Sequence, residues 1–135
     1  MARRVVVFFY GLFMDVHLLR SKGVAPEGVR LASAPGFALR IGQRATLIAD
    51  SRSVAHGLVM QLSHEDIDKL YSEPSVAAYR PEAIVARSEG VSIPALCFNL
   101  VVPPKPEDLN PEYAARLRDL ARQLGLPPAY VEEIR

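Results

Sequence analysis

The fold is decided near the start of the chain, where nine residues read Val5-Val6-Val7-Phe8-Phe9-Tyr10-Gly11-Leu12-Phe13. The first five are β-branched or aromatic with no polar interruption, which predicts a strand covered on both faces. Gly11 then permits a tight turn or a close backbone approach. Successive backbone amides in such a turn form a nest for a carboxylate or an oxyanion, and an ordinary strand-to-helix turn is the alternative interpretation.

The N-terminal stretch superficially resembles a secretory signal peptide, because apolar residues follow Arg3 and Arg4 as far as Met14. Asp15 and His17 come directly afterwards, however, and no small-x-small cleavage site is present. The stretch is also far shorter than the roughly 20 residues that span a bilayer. We therefore expect neither secretion nor a membrane partner.

The composition is typical of a globular protein with no strong preference for polyanions. The chain has 135 residues, 50% of them hydrophobic, with 16 basic and 15 acidic side chains and a formal net charge of +1. That length fits one domain, residues 1–135, with a sizeable core. The near-neutral charge disfavours nucleic acid as a partner, and a monomer is the default expectation.

The histidines and the cysteine form no metal or nucleophile motif. His17, His56 and His64 are far apart and lack metal-ligand spacing, so each is expected to have a structural or surface role. Cys97 is the only cysteine and lies in an apolar run, which predicts a buried, unreactive thiol and the reducing cytoplasm as compartment. We expect no metal and no cofactor.

Strand predictions depend on short apolar or alternating runs. Val54–Leu62 alternates with a period of two, which predicts a half-buried strand. The glycines and prolines of Ala25–Gly36 predict a loop or an irregular strand. Further strands are predicted at 37–41, 45–48, 83–86 and 93–102.

Helix predictions depend on capping residues that precede runs with helical periodicity. The side chains placed to cap a free backbone amide are Asp15, Ser63 and Asn110, the last followed by a proline at the first helical position. A last short helix is predicted over 126–131. Many short strands followed by a terminal helix favour an α+β fold with a small curved or barrel-like sheet.

Glu73 is a carboxylate that the sequence places at the end of a helix. Pro74 forces the preceding residue away from helical angles, so the helix that begins at Ser63 should stop near Ser72 and project Glu73 at its exit. Tyr79 follows closely downstream. A carboxyl held in a partly apolar pocket can act first as a general base and then as a general acid. A solvated loop glutamate is the alternative interpretation.

These features, in this order, resemble the gamma-glutamyl cyclotransferase-like superfamily, which includes gamma-glutamylcyclotransferases, gamma-glutamylamine cyclotransferases and plant avirulence-induced-gene proteins. The family opens with a hydrophobic strand running into Tyr-Gly, and residues 6–13 are similar to that pattern. Gly57–Leu62 and Glu73 resemble its middle motif, a strand with glycine followed by a helix that leads to an acidic residue. Gly125–Tyr130, which reads Gly-Leu-Pro-Pro-Ala-Tyr, is close to its C-terminal Gly-Leu-Pro-x-x-Tyr segment.

The resemblance implies a small mixed β-barrel of about six to seven strands with flanking helices and one pocket at the barrel end. It also implies that Glu73 is catalytic. Glu73 would take a proton from the α-amine of a gamma-glutamyl amine or peptide, and that amine would then attack the γ-carbonyl of the same molecule to give 5-oxoproline. Arg44 or, alternatively, Arg40 is a candidate partner for a substrate carboxylate. The candidate substrate-binding residues are Tyr10, Gly11, Leu12, Phe13, Tyr79 and Arg44.

The chain differs from the family pattern at three positions. Leu12 stands where the family favours serine or threonine, Leu70 stands where it has an aspartate, and Arg80 is displaced by one residue from the usual arginine. A one-residue shift along a strand turns a side chain to the other face. Two other functions stay open: an enzyme of this type acting on another small amide, and a non-catalytic module that binds a small anion in the same pocket.

Overall fold

Residues 3–135 are described by a computed structural model, in which five strands form one closed mixed sheet. The strands are β1 (Arg4–Phe9), β2 (Glu27–Ile41), β3 (Ala45–Ser63), β4 (Tyr79–Ser88) and β5 (Val91–Leu100). Their hydrogen-bonded order, β1-β3-β2-β4-β5, closes into a barrel through a parallel pairing of β1 with β5 at Val7 and Leu96. The other neighbouring pairs are antiparallel.

Four helices flank the sheet: α1 (Val16–Ser21), α2 (His64–Tyr71), α3 (Pro111–Leu124) and α4 (Pro128–Glu132). The three predicted caps are present, because the side chains of Asp15, Ser63 and Asn110 each accept a hydrogen bond from a backbone amide of the helix that follows. Gly125 ends α3 in the left-handed conformation at φ +84°, where glycine is favoured. The α+β class predicted from the sequence is confirmed.

The strand count is five rather than the expected six to seven, and β2 is one reason. The predicted strand 37–41 is only its last third, and the first ten residues of β2 occupy most of the segment predicted as loop or irregular strand. Gly28 and Gly36 have φ of +60° and +85° and lie where the pairing register with β3 shifts. These glycines therefore bend a continuous strand at bulges instead of ending it.

The other reason for the lower strand count is β3. The two predicted segments 45–48 and 54–62 are parts of this single strand of 19 residues. β5 ends at Leu100, two residues earlier than predicted, and Val101 and Val102 are exposed beyond it. Long strands that bend can close a barrel with few members, because each contributes to two stretches of the wall.

The second half of β1 is part of the core. Val7, Phe8 and Phe9 are buried, whereas Arg4 at the start of the strand is exposed. The prediction of a strand covered on both faces is thus confirmed for residues 7–9.

Leu117 and Ala121 of α3 are fully buried, as expected for the apolar stripe of an amphipathic helix.

Cys97 lies inside the core on β5 with none of its surface exposed. Burial raises the pKa of its thiol to about 12. The prediction that Cys97 is buried is thus confirmed, and a thiol that stays protonated in an apolar site is expected to be a poor nucleophile.

A buried polar network connects β3 with β5, which are not neighbours in the sheet. The Asn99 side-chain oxygen accepts a hydrogen bond from the Leu47 amide at 3.1 Å, and its side-chain nitrogen donates to Glu82 Oε1 at 2.7 Å. Thr46 Oγ1 accepts from the Leu100 amide at 2.9 Å. Polar groups are retained in a core only when they are paired, so these bonds hold the start of β3 against the end of β5.

None of the helices within residues 3–135 has the length and hydropathy required to cross a bilayer.

Candidate active site

A cavity of about 420 Å³ lies at one end of the sheet, where β1 ends and where β3 and β4 begin. Its walls come from several separate parts of the chain, including the turn after β1, the loop between β2 and β3, and the segment after α2. All seven residues predicted for the site line this one cavity: Tyr10, Gly11, Leu12, Phe13, Arg44, Glu73 and Tyr79. Their juxtaposition is a finding, whereas the role of each stays a prediction.

Glu73 reaches the cavity because α2 ends where the sequence predicts. The helix stops at Tyr71, Ser72 caps it, and Glu73 has the extended angles φ −68° and ψ 140° before the 3-10 turn Pro74–Val76. Its carboxylate accepts hydrogen bonds from the Lys22 ammonium at 2.8 Å and 3.0 Å. Glu73 is therefore an ion-paired carboxylate at the cavity wall, on the same cavity as the turn after β1.

The polar groups that the turn after β1 offers to the cavity are mainly backbone groups. The Tyr10 hydroxyl is buried and donates to the Phe98 carbonyl at 2.6 Å, so that hydroxyl has a partner within the protein. The Gly11 and Leu12 carbonyls accept from the amides of Met14 and Asp15, at 3.0 Å and 3.1 Å, which closes a 3-10 turn over Leu12–Met14. This geometry leaves the amides at the start of the turn as the groups that could bind a ligand.

Tyr113 of α3 lies directly over this turn, and the sequence reasoning missed it. A Cβ atom placed on Gly11 would come within 2.7 Å of the Tyr113 hydroxyl, so only glycine allows this approach. Burial raises the pKa of the Tyr113 hydroxyl, and the nearby Leu12 amide opposes that rise. The available signal was the four-residue spacing from Tyr113 to buried Leu117, which places both side chains on one face of α3.

Tyr79 and Arg44 also line the cavity, near the start of β3. The Tyr79 hydroxyl donates to the Ala45 carbonyl. Burial raises the pKa of Tyr79 well above its usual range, and the positive charge of Arg44 works against that rise. Arg40, the alternative to Arg44, belongs to β2, pairs there with Thr46 and does not line the cavity.

Two of the three departures from the family pattern lie outside the cavity, and the third lies in it. Arg80 is exposed and donates to the carbonyls of Ala77 and Tyr79 at 2.8 Å and 2.9 Å, so its displacement by one residue does turn it away. Leu70 is completely buried in the core. Leu12 lines the cavity, and its side chain brings no hydroxyl to it.

Aromatic rings form much of the remaining wall. Tyr71 stacks on Phe98 with ring centroids 4.0 Å apart, and Phe13 meets Tyr71 edge-on at 5.8 Å. Phe9 in turn contacts Phe13 edge-on at 6.1 Å. Such walls exclude water, and charged groups interact more strongly where water is excluded.

Positive charge exceeds negative charge along the lining. Three cationic side chains line the cavity, those of Lys22, Arg44 and Arg116, against the single carboxylate of Glu73. Among residues 3–135, neither Arg44 nor Arg116 has a carboxylate within 4.0 Å. Clefts lined by one sign of charge concentrate ligands of the opposite sign, so this cavity suits an anionic molecule.

The three histidines do not line the cavity. His17 and His64 are exposed on α1 and α2, and His56 packs edge-on against Tyr130 at 4.9 Å, where burial lowers its pKa. Within residues 3–135, no group of three or more histidine, cysteine, aspartate or glutamate side chains is arranged to hold a metal ion.

Comparison with solved structures identifies the fold as gamma-glutamyl cyclotransferase-like. A structure of gamma-glutamyl cyclotransferase superposes with a TM-score of 0.80 at 17% identity, covering 98% of this chain and 86% of that one. YkqA from Bacillus subtilis gives 0.79 at 21% identity and 97% coverage, although this chain spans only 52% of the length of YkqA. An uncharacterised protein from Homo sapiens gives 0.78 at 20% identity, covering 97% of this chain and 86% of that protein.

No protein-family model matches the chain, and no curated protein matches it by sequence. The resemblance inferred from short motifs is thus confirmed at the level of the fold.

Proposed function

We propose that this protein is a gamma-glutamyl cyclotransferase-type enzyme, which cyclises a gamma-glutamyl amine or peptide to 5-oxoproline and releases the free amine. One observation carries the proposal: in a fold shared with gamma-glutamyl cyclotransferase, Glu73 and the turn at residues 10–13 line the same cavity. A base and a backbone binding surface on one cavity are what an intramolecular aminolysis requires.

The reaction needs one proton acceptor, which later becomes a donor. Glu73 takes a proton from the α-amine, and the nitrogen attacks the γ-carbonyl carbon of the same molecule to form a tetrahedral intermediate. Glu73 then returns the proton to the departing nitrogen, the old carbon–nitrogen bond breaks, and the five-membered lactam remains. Because nucleophile and electrophile belong to one molecule, holding the folded conformer supplies much of the acceleration.

The other groups of the cavity fit the charges of such a substrate. The glutamyl part carries a carboxylate, for which Arg44 and Arg116 are unpaired cationic partners among the described residues. The Gly11 amide is suited to bind that carboxylate or to stabilise the oxyanion of the intermediate, whereas the Leu12 amide already faces the Tyr113 hydroxyl. The aromatic wall around Tyr71 would exclude water from the reacting atoms.

A binding module without catalysis is the second candidate, and a specific contact favours it. Lys22 already neutralises Glu73, so the cavity presents the net positive charge of two arginines to a ligand. Leu12 also brings no side-chain hydroxyl to position 12 of the turn. Such a protein would bind gamma-glutamyl compounds and release them unchanged.

Release of 5-oxoproline from a panel of gamma-glutamyl amino acids, gamma-glutamyl amines and glutathione tests the proposal. We expect turnover of at least one of them by the wild-type protein. Glu73→Gln should lower kcat/KM by about 10²- to 10⁴-fold, the usual contribution of a general acid–base group. Glu65→Gln is the matched control, because Glu65 is exposed on α2 and does not line the cavity.

Two outcomes would contradict the cyclotransferase proposal. One is no product from any compound of the panel, and the other is equal product from wild type and Glu73→Gln. Calorimetric titration with the same compounds then separates the two candidates, since tight binding without turnover supports the binding module.

We further propose that the protein works as a monomer in the cytoplasm on a small molecule and not on nucleic acid. The formal net charge of +1 and the single buried thiol of Cys97 support this assignment.

A further inference from the structure

Lys22 is the side chain that holds Glu73. Its ammonium lies 2.8 Å from one carboxylate oxygen of Glu73 and 3.0 Å from the other. Within residues 3–135, the Glu73 side chain has no other hydrogen-bond partner. The side chain of Glu73 is 43% exposed and that of Lys22 is 25% exposed, so the carboxylate without this contact would face water with several rotamers open to it.

The backbone just after Lys22 is hydrogen-bonded to side chains of α2, the helix that precedes Glu73. Lys22 caps the end of α1, and the next residue, Gly23, accepts a hydrogen bond at its carbonyl from the Lys69 ammonium at 3.2 Å. The Ala25 amide donates to Asp66 of α2 at 3.0 Å. Two hydrogen bonds therefore fix the end of α1 against α2 independently of the ion pair, and they set where the Lys22 side chain starts.

We propose that Lys22 is a positioning residue for Glu73, a role that depends on the catalytic role proposed for that glutamate. The ammonium holds both carboxylate oxygens, and because each oxygen has two lone pairs, an oxygen that accepts from Lys22 can still face the substrate amine. Because a base works only from within hydrogen-bonding distance of the proton that it takes, a fixed rotamer raises the fraction of productive complexes. We expect that loss of Lys22 lowers the rate of reaction and changes the binding of substrate only slightly.

The variants Lys22→Met and Lys22→Arg test this role in steady-state assays of 5-oxoproline release. Lys22→Met should lower kcat about tenfold, which corresponds to about 1.4 kcal/mol, and should leave KM within about twofold of wild type. Lys22→Arg keeps a cationic donor and should recover most of the lost kcat. Arg20→Met is the matched control: it removes one positive charge from the last turn of the same helix, at an exposed residue that does not line the cavity.

Unchanged kcat in Lys22→Met, or Lys22→Arg as impaired as Lys22→Met, would overturn the proposal. An equal loss of kcat in Arg20→Met would also overturn it, because the effect would then belong to the charge of the helix end. Thermal unfolding of each variant provides the check on folding. A loss of kcat in Lys22→Met with unchanged unfolding temperature, recovered by the arginine variant, is not expected from a merely structural role.

A measurement independent of turnover separates this proposal from the proposed function. The chain has only three lysines, so the ammonium signals in a ¹⁵N-edited spectrum are assigned by comparing wild type with Lys22→Met. The Lys22 signal should be protected from solvent exchange in wild type and should lose that protection in Glu73→Gln. If the wild type releases no 5-oxoproline, the proposed function fails, and the Lys22 signal is then the test of the contact between Lys22 and Glu73. Protection from solvent exchange that is lost in Glu73→Gln supports the positioning contact. Protection that is unaffected by Glu73→Gln overturns it.

Discussion

Gly57 is the glycine whose replacement should disturb both the sheet and the candidate site. It lies on β3 next to Leu58, the residue that pairs with Phe9 at the end of β1. A Cβ atom at position 57 would lie 2.1 Å from the Phe9 carbonyl oxygen and 3.2 Å from the Phe8 ring. Since real Cβ contacts keep at least 3.0 Å, Gly57→Ala requires the backbone of β1 or β3 to move by about 1 Å.

Two opposing contributions set the size of the effect. Alanine is favoured over glycine within a strand by about 0.5–1 kcal/mol, because it loses less conformational entropy on folding. Overpacking that only backbone movement can relieve costs about 1–3 kcal/mol. The contact is with a backbone atom and is far inside the normal limit, so the upper part of that range applies. We expect a net loss of about 2 kcal/mol in the free energy of unfolding.

Urea unfolding followed by far-UV circular dichroism measures this change, and the chain has no tryptophan to report by fluorescence. The movement also displaces the Phe9 carbonyl beside Tyr10, so kcat/KM should fall under conditions where the variant is fully folded. Gly90→Ala is the control: Gly90 has φ +78° and no atom within 4 Å of an added Cβ. It should lose about 1 kcal/mol through backbone strain alone and keep the activity of wild type. A Gly57→Ala protein as stable as wild type, or more stable, would refute the close contact of β1 with β3.

Two further stability measurements test the core. Burial raises the pKa of Cys97 from 9.0 in the unfolded chain to about 12, so its stabilising contribution is complete below pH 9 and is lost as the pH rises toward 12. The free energy of unfolding should therefore fall between about pH 8 and pH 10 by more in wild type than in Cys97→Ala, and equal slopes would contradict the shift. Asn99→Leu removes the bonds to the Leu47 amide and to Glu82. Glu82 is exposed and can bind water instead, whereas the buried Leu47 amide loses its partner, which should cost about 1–3 kcal/mol in urea unfolding. A change below about 0.5 kcal/mol would show that the network contributes nothing to stability.

Local signals in the sequence predicted the helix ends well but the strand ends poorly. Ser63 and Asn110 cap helices through bonds to residues three positions away, so a short window of sequence contains the whole interaction. Gly28 and Gly36, by contrast, resemble loop residues when only their neighbours are considered. Pairing with β3 keeps the strand continuous through them, and no local pattern contains that information.

The candidate site divides in the same way. The position of Glu73 follows from Pro74 beside it, and the turn at 10–13 follows from Gly11 within an apolar run, so both were predictable. Lys22 resembles an ordinary cation at a helix C-terminus, where the helix dipole favours positive charge. Only the packing of α1 against α2 brings it to a carboxylate 51 residues further along the chain.

The parallel pairing of β1 with β5 has a consequence for how the protein is made. Val7 leaves the ribosome well before its partner Leu96, which lies 89 residues further along the chain. Until then β1 and β4 each present an unpaired edge, the kind of surface to which other strands add. Closure also requires contacts between distant parts of the chain, which slow folding. The nascent protein thus passes through an interval in which its sheet is open to association with other chains, and the cavity takes shape only when that interval ends.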